Sequence, residues 1–252
     1  MPPMSPALFR RPPDPATIEV AFDRTTYLVR LRRSRGARRY TLRIQAATRE
    51  VLLTMPLRGS LADAKAFAQK NGGWIATRLN RLPEPAPFVD GTIVPLRGRP
   101  HRIVHRPGAR GTVWAEIVDE EALLCVAGAA PHVSRRVADY LKREAKRDLD
   151  AASRRYAGAL GAAVARVTVR DTSSRWGSCS ATGALSFSWR LILAPPHVLD
   201  YLAAHETAHL LELSHAPRFW RIVRGICPEM DRAKAWLDAH GADLHRYGSS
   251  RQ

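Results

Sequence analysis

The feature that most constrains this 252-residue chain is the pentapeptide His205-Glu206-Thr207-Ala208-His209. Around it the sequence is largely apolar, with Leu199, Leu202, Ala203, Ala204, Leu210 and Leu211 close by. Pro195-Pro196 ahead of this run suits a helix start, and the pattern predicts a buried helix over 197–213 with one polar stripe. Residues four apart on a helix lie one turn apart along the axis and about 40° apart around it. The imidazoles of His205 and His209 therefore reach one ion from the same face. Glu206 lies about 100° from the first ligand, where it can contact a water held on the ion but not easily the ion itself. The spacing predicts a zinc site, with His205 and His209 as ligands and Glu206 as the general base that activates the metal's water.

A catalytic zinc takes three protein ligands and leaves one position open. His215 is the expected third ligand, because Pro217 puts it on a connection between helices, where the chain can bend back. Its spacing from His205 and His209 matches that of metzincins, but Glu212 stands where that class has its turn glycine. Glu229, twenty residues after His209, is the rival. It follows Pro228 in what reads as a first helical turn, where the dipole favours an acid without any metal. Cys179 reads as a small buried residue, not a fourth ligand.

The net charge of +17 raises the question of nucleic acid. Arginine supplies nearly all of it, since lysine occurs only at 65, 70, 142, 146 and 234. Residues 1–60 hold twelve arginines against Asp14, Glu19, Asp23 and Glu50, with Arg30, Arg32, Arg33, Arg35, Arg38 and Arg39 clustered. Such a patch binds phosphate-rich ligands or is a solvated face, and the second is the expectation. Cys125, Cys179 and Cys227 are far apart, which argues against a disulfide scaffold or a cysteine zinc ribbon. No apolar run reaches the length of a membrane span. The first residues, broken up by proline and arginine, do not read as a signal peptide. A cytoplasmic location is expected, and the oligomeric state is not readable.

Along the chain, 1–16 and 248–252 read as tails, the first disordered. Residues 17–130 read as a β-rich region and 131–247 as a helical catalytic domain with a small sheet. From Tyr27 to Met55 apolar and basic residues alternate as in antiparallel strands with one wet face. A helix is expected from Ser60, its N-cap, to Leu82, with Gly72-Gly73 as a candidate break. Pro83–Pro87 is the best internal linker. Further strands are expected over 91–104 and 112–126, then a long helix from Pro131 to about Leu160. Leu185, Phe187, Trp189, Leu191 and Leu193 alternate as along one strand, whose edge would align a peptide. No internal repeat is visible. The fold class expected is α+β.

Arg175-Trp176-Gly177-Ser178-Cys179, Ser188-Trp189-Arg190-Leu191-Ile192-Leu193-Ala194-Pro195, His205–His209, His215 and Phe219-Trp220 together resemble the YgjP-like metal-dependent hydrolases. These are metallopeptidase-type proteins related to the SprT-like and WLM proteases. The resemblance implies a zincin-like domain with His205, His209 and His215 as ligands and Glu206 as base. Thr207 stands where the family usually has leucine, and Ser188 where it has asparagine. Arg175 and Arg190 flank the site in sequence and are expected to bind an anionic substrate or transition state. Peptide hydrolysis is the leading expectation. A metal-dependent nucleoside triphosphate phosphohydrolase is the second, without a P-loop to support ordinary NTPase chemistry. A DNA-associated protein with structural zinc ranks last, since only three good ligands are visible.

Overall fold

A computed structural model describes residues 14–45, 48–172 and 175–248. It forms two compact units, which divide at Leu82/Pro83. The architecture is α+β, as expected. The boundary drawn at 130/131 does not separate compact units, because Val94, Ile103 and Leu124 share one core with Val137, Leu141 and Ala203. The expected linker at Pro83–Pro87 begins where the units divide. Most of the two expected tails lies outside the described residues. The part that is described is held: Leu31 N donates to Ala16 O (2.9 Å) and Gly248 N to Ala86 O (2.9 Å).

In the first unit, strands β1 (Thr17–Phe22) and β2 (Thr25–Ser34) form a hairpin; β3 (Thr41–Ile44) and β4 (Val51–Pro56) complete a sheet of order β1-β2-β4-β3. The sheet is mixed, not antiparallel throughout, since β2 and β4 run parallel. Asp23 and Arg24 both hold positive φ at the β1–β2 turn, the geometry of a two-residue hairpin loop whose twist matches the strands. Alternation puts Ile18, Val20, Val29, Val51, Leu53 and Met55 on one face. They pack on Ala64 and Ala68 of α1 (Leu61–Lys70) and Ile75 of α2 (Gly72–Asn80). Ser60 caps α1 by accepting from Asp63 N (2.9 Å). The expected helix does break, at Asn71, one residue before the glycine pair; Gly72 and Gly73 open α2 against the Phe22 side chain.

In the second unit, β5 (Ile93–Leu96), β6 (Arg99–Arg106), β7 (Val113–Val118) and β8 (Glu121–Ala127) form a sheet of order β5-β6-β8-β7. This repeats the layout of the first sheet, including one parallel pair between its second and fourth strands. The repeat is one of topology and is not visible in the residues. Helix α3 (Val133–Ala159) follows, burying the stripe Val137, Leu141, Ala145, Leu149 and Ala152. A third sheet of order β10-β11-β9 joins β9 (Arg166–Arg170), β10 (Gly177–Cys179) and β11 (Ala184–Ser188).

The strand expected to run to Leu193 stops at Ser188. Trp189–Leu193 form a 3-10 turn, buried on every side. β11 is central, paired on both edges, so its edge cannot align a peptide. Helices α4 (Pro196–Ala208), α5 (Pro217–Ile226) and α6 (Met230–His240) complete the unit. No described helix is long and apolar enough to cross a membrane.

Candidate metal centre

Helix α4 starts with Pro196 at its first position. It is propped there by the β5–β6 turn, whose Arg97 N donates to Ile192 O (2.7 Å). Gly98, at φ +75°, passes so close that a Cβ would stand 2.9 Å from Pro195 Cα. The helix ends at Ala208, five residues before the expected end, with His209 as its C-cap. Glu212 N donates to Ala208 O (3.1 Å), tightening the exit. The chain can therefore double back, and His215, on the connection before α5, returns to face His205.

The result is a cluster of three imidazoles. One ligand nitrogen from each of His205, His209 and His215 lies within 4.8 Å of the others. The Nε2 atoms of His205 and His215 are 3.1 Å apart. Two nitrogens about 2.1 Å from one ion at a tetrahedral angle stand about 3.4 Å apart, so this pair is spaced for a shared metal ion within a few tenths of an ångström. His209 Nδ1 faces Glu212 O at 2.9 Å. A carbonyl only accepts, so Nδ1 carries the proton and Nε2 keeps its lone pair for a metal. Tyr201 Oη is 3.4 Å from His205 Nδ1 and can fix that ring in the same sense.

Burial pushes the pKa of His205 down to about 4, with His209, His215 and Lys234 adding to the effect. Burial also lowers the pKa of His209. Both shifts favour the neutral ring, the form in which imidazole binds metal. Phe219 stacks on His209 (4.4 Å between centroids) and Trp220 on His215 (5.6 Å). Phe219 is wholly buried, so part of the cluster's wall is core.

Glu206 is 5% exposed. Burial raises its pKa to about 7, against the opposing pull of Arg175. Its carboxyl lies directly under β10. A Cβ on Gly177 would come within 2.5 Å of Oε1, 2.6 Å of Cγ and 2.7 Å of Cδ. Trp176, Tyr201, Leu202, Leu237 and Lys234 line a cleft of about 310 Å3 together with His205 and Glu206.

The other expected residues fall as follows. Arg175 is exposed and near enough to act on Glu206. Arg190 is not brought to the cleft. It is 3% exposed and donates to Asp171 (3.1 Å) and to the carbonyls of Leu244 (3.0 Å) and Tyr247 (2.7 Å). Glu229 is outside the cluster, paired with Arg232 at 2.7 Å. Cys179 is likewise outside it, half-buried and free. Sequence reasoning missed Gly177, Tyr201 and Lys234 as parts of the site. Only Tyr201, one turn before His205 on the same helix face, carried a usable signal.

One solved structure to which the chain is similar is the metallopeptidase zymogen of Pyrococcus abyssi abylysin. The identity is 23%, over 39% of this chain and 97% of that one, and the TM-score of 0.34 marks a loose likeness. No curated protein matches. The family described as YgjP-like, metallopeptidase domain, matches residues 38–240, the greater part of the sequence. With the histidine cluster at its centre, the chain belongs to the YgjP-like metallopeptidase family.

Proposed function

We propose that the chain is a zinc-dependent peptidase in which His205, His209 and His215 hold the metal and Glu206 is the general base. One observation carries this reading: three imidazole nitrogens converge within 4.8 Å beside a buried carboxyl. Zinc held there supplies a Lewis acid that polarises a carbonyl and makes water easier to deprotonate. Glu206 takes the proton from the attacking water and returns it to the departing amine. Burial alone raises its pKa, and the charge of a bound metal draws it back toward the ionised form that a base needs.

The edge strand nearest Glu206 is β10, which among the described residues pairs only with β11. A peptide adding to that edge passes beside Glu206, because Gly177 of the same strand rests on the carboxyl. Arg175, one residue before Trp176 at the cleft and close enough to act on Glu206, would hold a substrate carboxylate or the oxyanion that develops in the reaction.

The test combines metal analysis with a substrate screen of peptides and nucleoside triphosphates. Peptide turnover with one zinc per chain is expected. Glu206→Gln should keep the zinc and lose turnover, and His205→Ala should lose the zinc. Turnover that survives Glu206→Gln, or turnover of nucleotides alone, would overturn the reading.

A further inference from the structure

Many arginines of this chain meet carboxylates. Arg97 reaches Glu144 and Asp148 at 2.7 Å each, Arg106 reaches Glu116 at 2.7 Å, and Arg155 reaches Asp200 at 2.8 Å. The outer face of the first sheet differs. Strand alternation that turns Val29, Leu53 and Leu42 toward α1 and α2 turns Arg32, Thr54, Thr41 and Arg43 the other way. The register sets Arg32 beside Thr54 and Thr54 beside Thr41, with Arg30, Leu52 and Arg43 forming the next row. Arg38 and Arg39, from the β2–β3 connection, join Arg32 and Arg43 around a hollow of about 560 Å3. Ser34, Thr41 and Thr54 bring hydroxyls to it, and no acidic residue lines it.

None of these four arginines has a carboxylate partner among the described residues, although Arg30 and Arg33 at the border pair with Glu50 and Asp14. Four like charges around one hollow repel each other, and a merely wet face gains nothing from gathering them. The unit as a whole carries fourteen Lys and Arg against five Asp and Glu over residues 14–45 and 49–82. We propose that this hollow binds the phosphodiester backbone of a nucleic-acid strand.

The extent of the patch favours a chain of phosphates over a single one. Three neighbouring strands span about 10 Å, and the two rows are about 6.7 Å apart along them. Guanidinium forks and hydroxyls are the donors that phosphate oxygens take. No aromatic side chain lines the hollow, so bases are not stacked or read, and binding is indifferent to sequence. The concavity suits a strand lying in it better than a flat bilayer.

The test is fluorescence anisotropy of the full chain with labelled 20-nucleotide single strands and duplexes, from 50 to 200 mM NaCl. Four phosphate contacts predict a log–log salt slope near −2.8 on single strands, about a 50-fold loss of affinity over that range. Glutamine at Arg32, Arg38, Arg39 and Arg43 together should flatten the slope by about 2.8 and weaken binding at least tenfold at 50 mM. Glutamine at Lys65, Lys70, Arg78 and Arg81 removes the same charge from α1, α2 and the residue that caps α2, and should leave the slope nearly unchanged. If the first variant melts early, Arg38→Gln and Arg39→Gln on the exposed connection carry the test, at about 0.7 of slope each. Equal losses in both fourfold variants, a slope shallower than −1, or equal affinity for phosphatidylserine vesicles would overturn the proposal.

Discussion

The contact between Gly177 and Glu206 permits a test that needs no substrate. Gly177→Ala places a Cβ 2.5 to 2.7 Å from three atoms of the Glu206 side chain. Ordinary contact begins near 3.4 Å, so the carboxyl or the strand must yield by almost 1 Å, and overpacking of this kind costs about 1–3 kcal/mol. The backbone does not oppose alanine, since Gly177 is not among the positive-φ glycines. Without the clash the substitution should stabilise by about 0.4–1 kcal/mol through the unfolded state. Glu206→Ala removes the clashing atoms, so Gly177→Ala should be neutral or stabilising in that background.

The double-mutant cycle, measured by urea unfolding in the presence of a chelator, should therefore show coupling of about 2 kcal/mol. Additivity within about 0.5 kcal/mol would refute the close packing of β10 on the carboxyl. In the metal-loaded protein the same displacement should slow turnover about 100-fold, with zinc content unchanged.

Other outcomes follow from the same geometry. Glu206 has a folded pKa near 7, raised from 4.5 by burial. Its contribution is therefore favourable below about pH 4.5 and is lost as pH rises through 7. In chelator, Glu206→Gln should raise stability at pH 8 by roughly 3 kcal/mol and hardly at all at pH 4.5; an equal gain at both pH values would contradict this. His215→Ala, on an exposed connection, should lower zinc affinity at least tenfold while the apo melting temperature stays within about 2 °C; unchanged affinity by competition with a chelating dye would remove His215 from the site. Arg190→Leu strands the carbonyls of Leu244 and Tyr247 and should cost about 3 kcal/mol in urea unfolding. A loss of activity without loss of stability would return Arg190 to the substrate.

The site was more legible in the sequence than its surroundings. His205 and His209 were readable because a helix converts a spacing of four directly into a shared face. His215 was readable because Pro217 restarts the chain after it. The end of α4 at Ala208 was not, since Leu210 and Leu211 continue the apolar pattern past the last helical turn. Alternation from Leu185 to Leu193 concealed the change at Ser188, because in the 3-10 turn both the apolar residues and Arg190 are buried. Arg190 itself misled for a physical reason: nothing in a sequence tells a paired, buried guanidinium from one reaching for a substrate. Period-two patterns report which face a residue occupies and not which strand lies alongside, so the parallel pairs in all three sheets were invisible.

The repeated layout of the two four-stranded sheets bears on how the chain reaches its native state. Each begins with a hairpin across a two-residue loop, closed at Phe22–Thr25 in the first sheet and at Leu96–Arg99 in the second. Hairpins of this size form within microseconds. Each sheet is then completed by a parallel pair that closes a longer loop, joining Val29 to Val51 and Arg102 to Leu123. Local contacts thus come first and the parallel seam later, since loop closure must precede the pairing that rewards it. Pulse-labelled hydrogen exchange should find the amides of the β1–β2 and β5–β6 hairpins protected before those of the β2–β4 and β6–β8 seams.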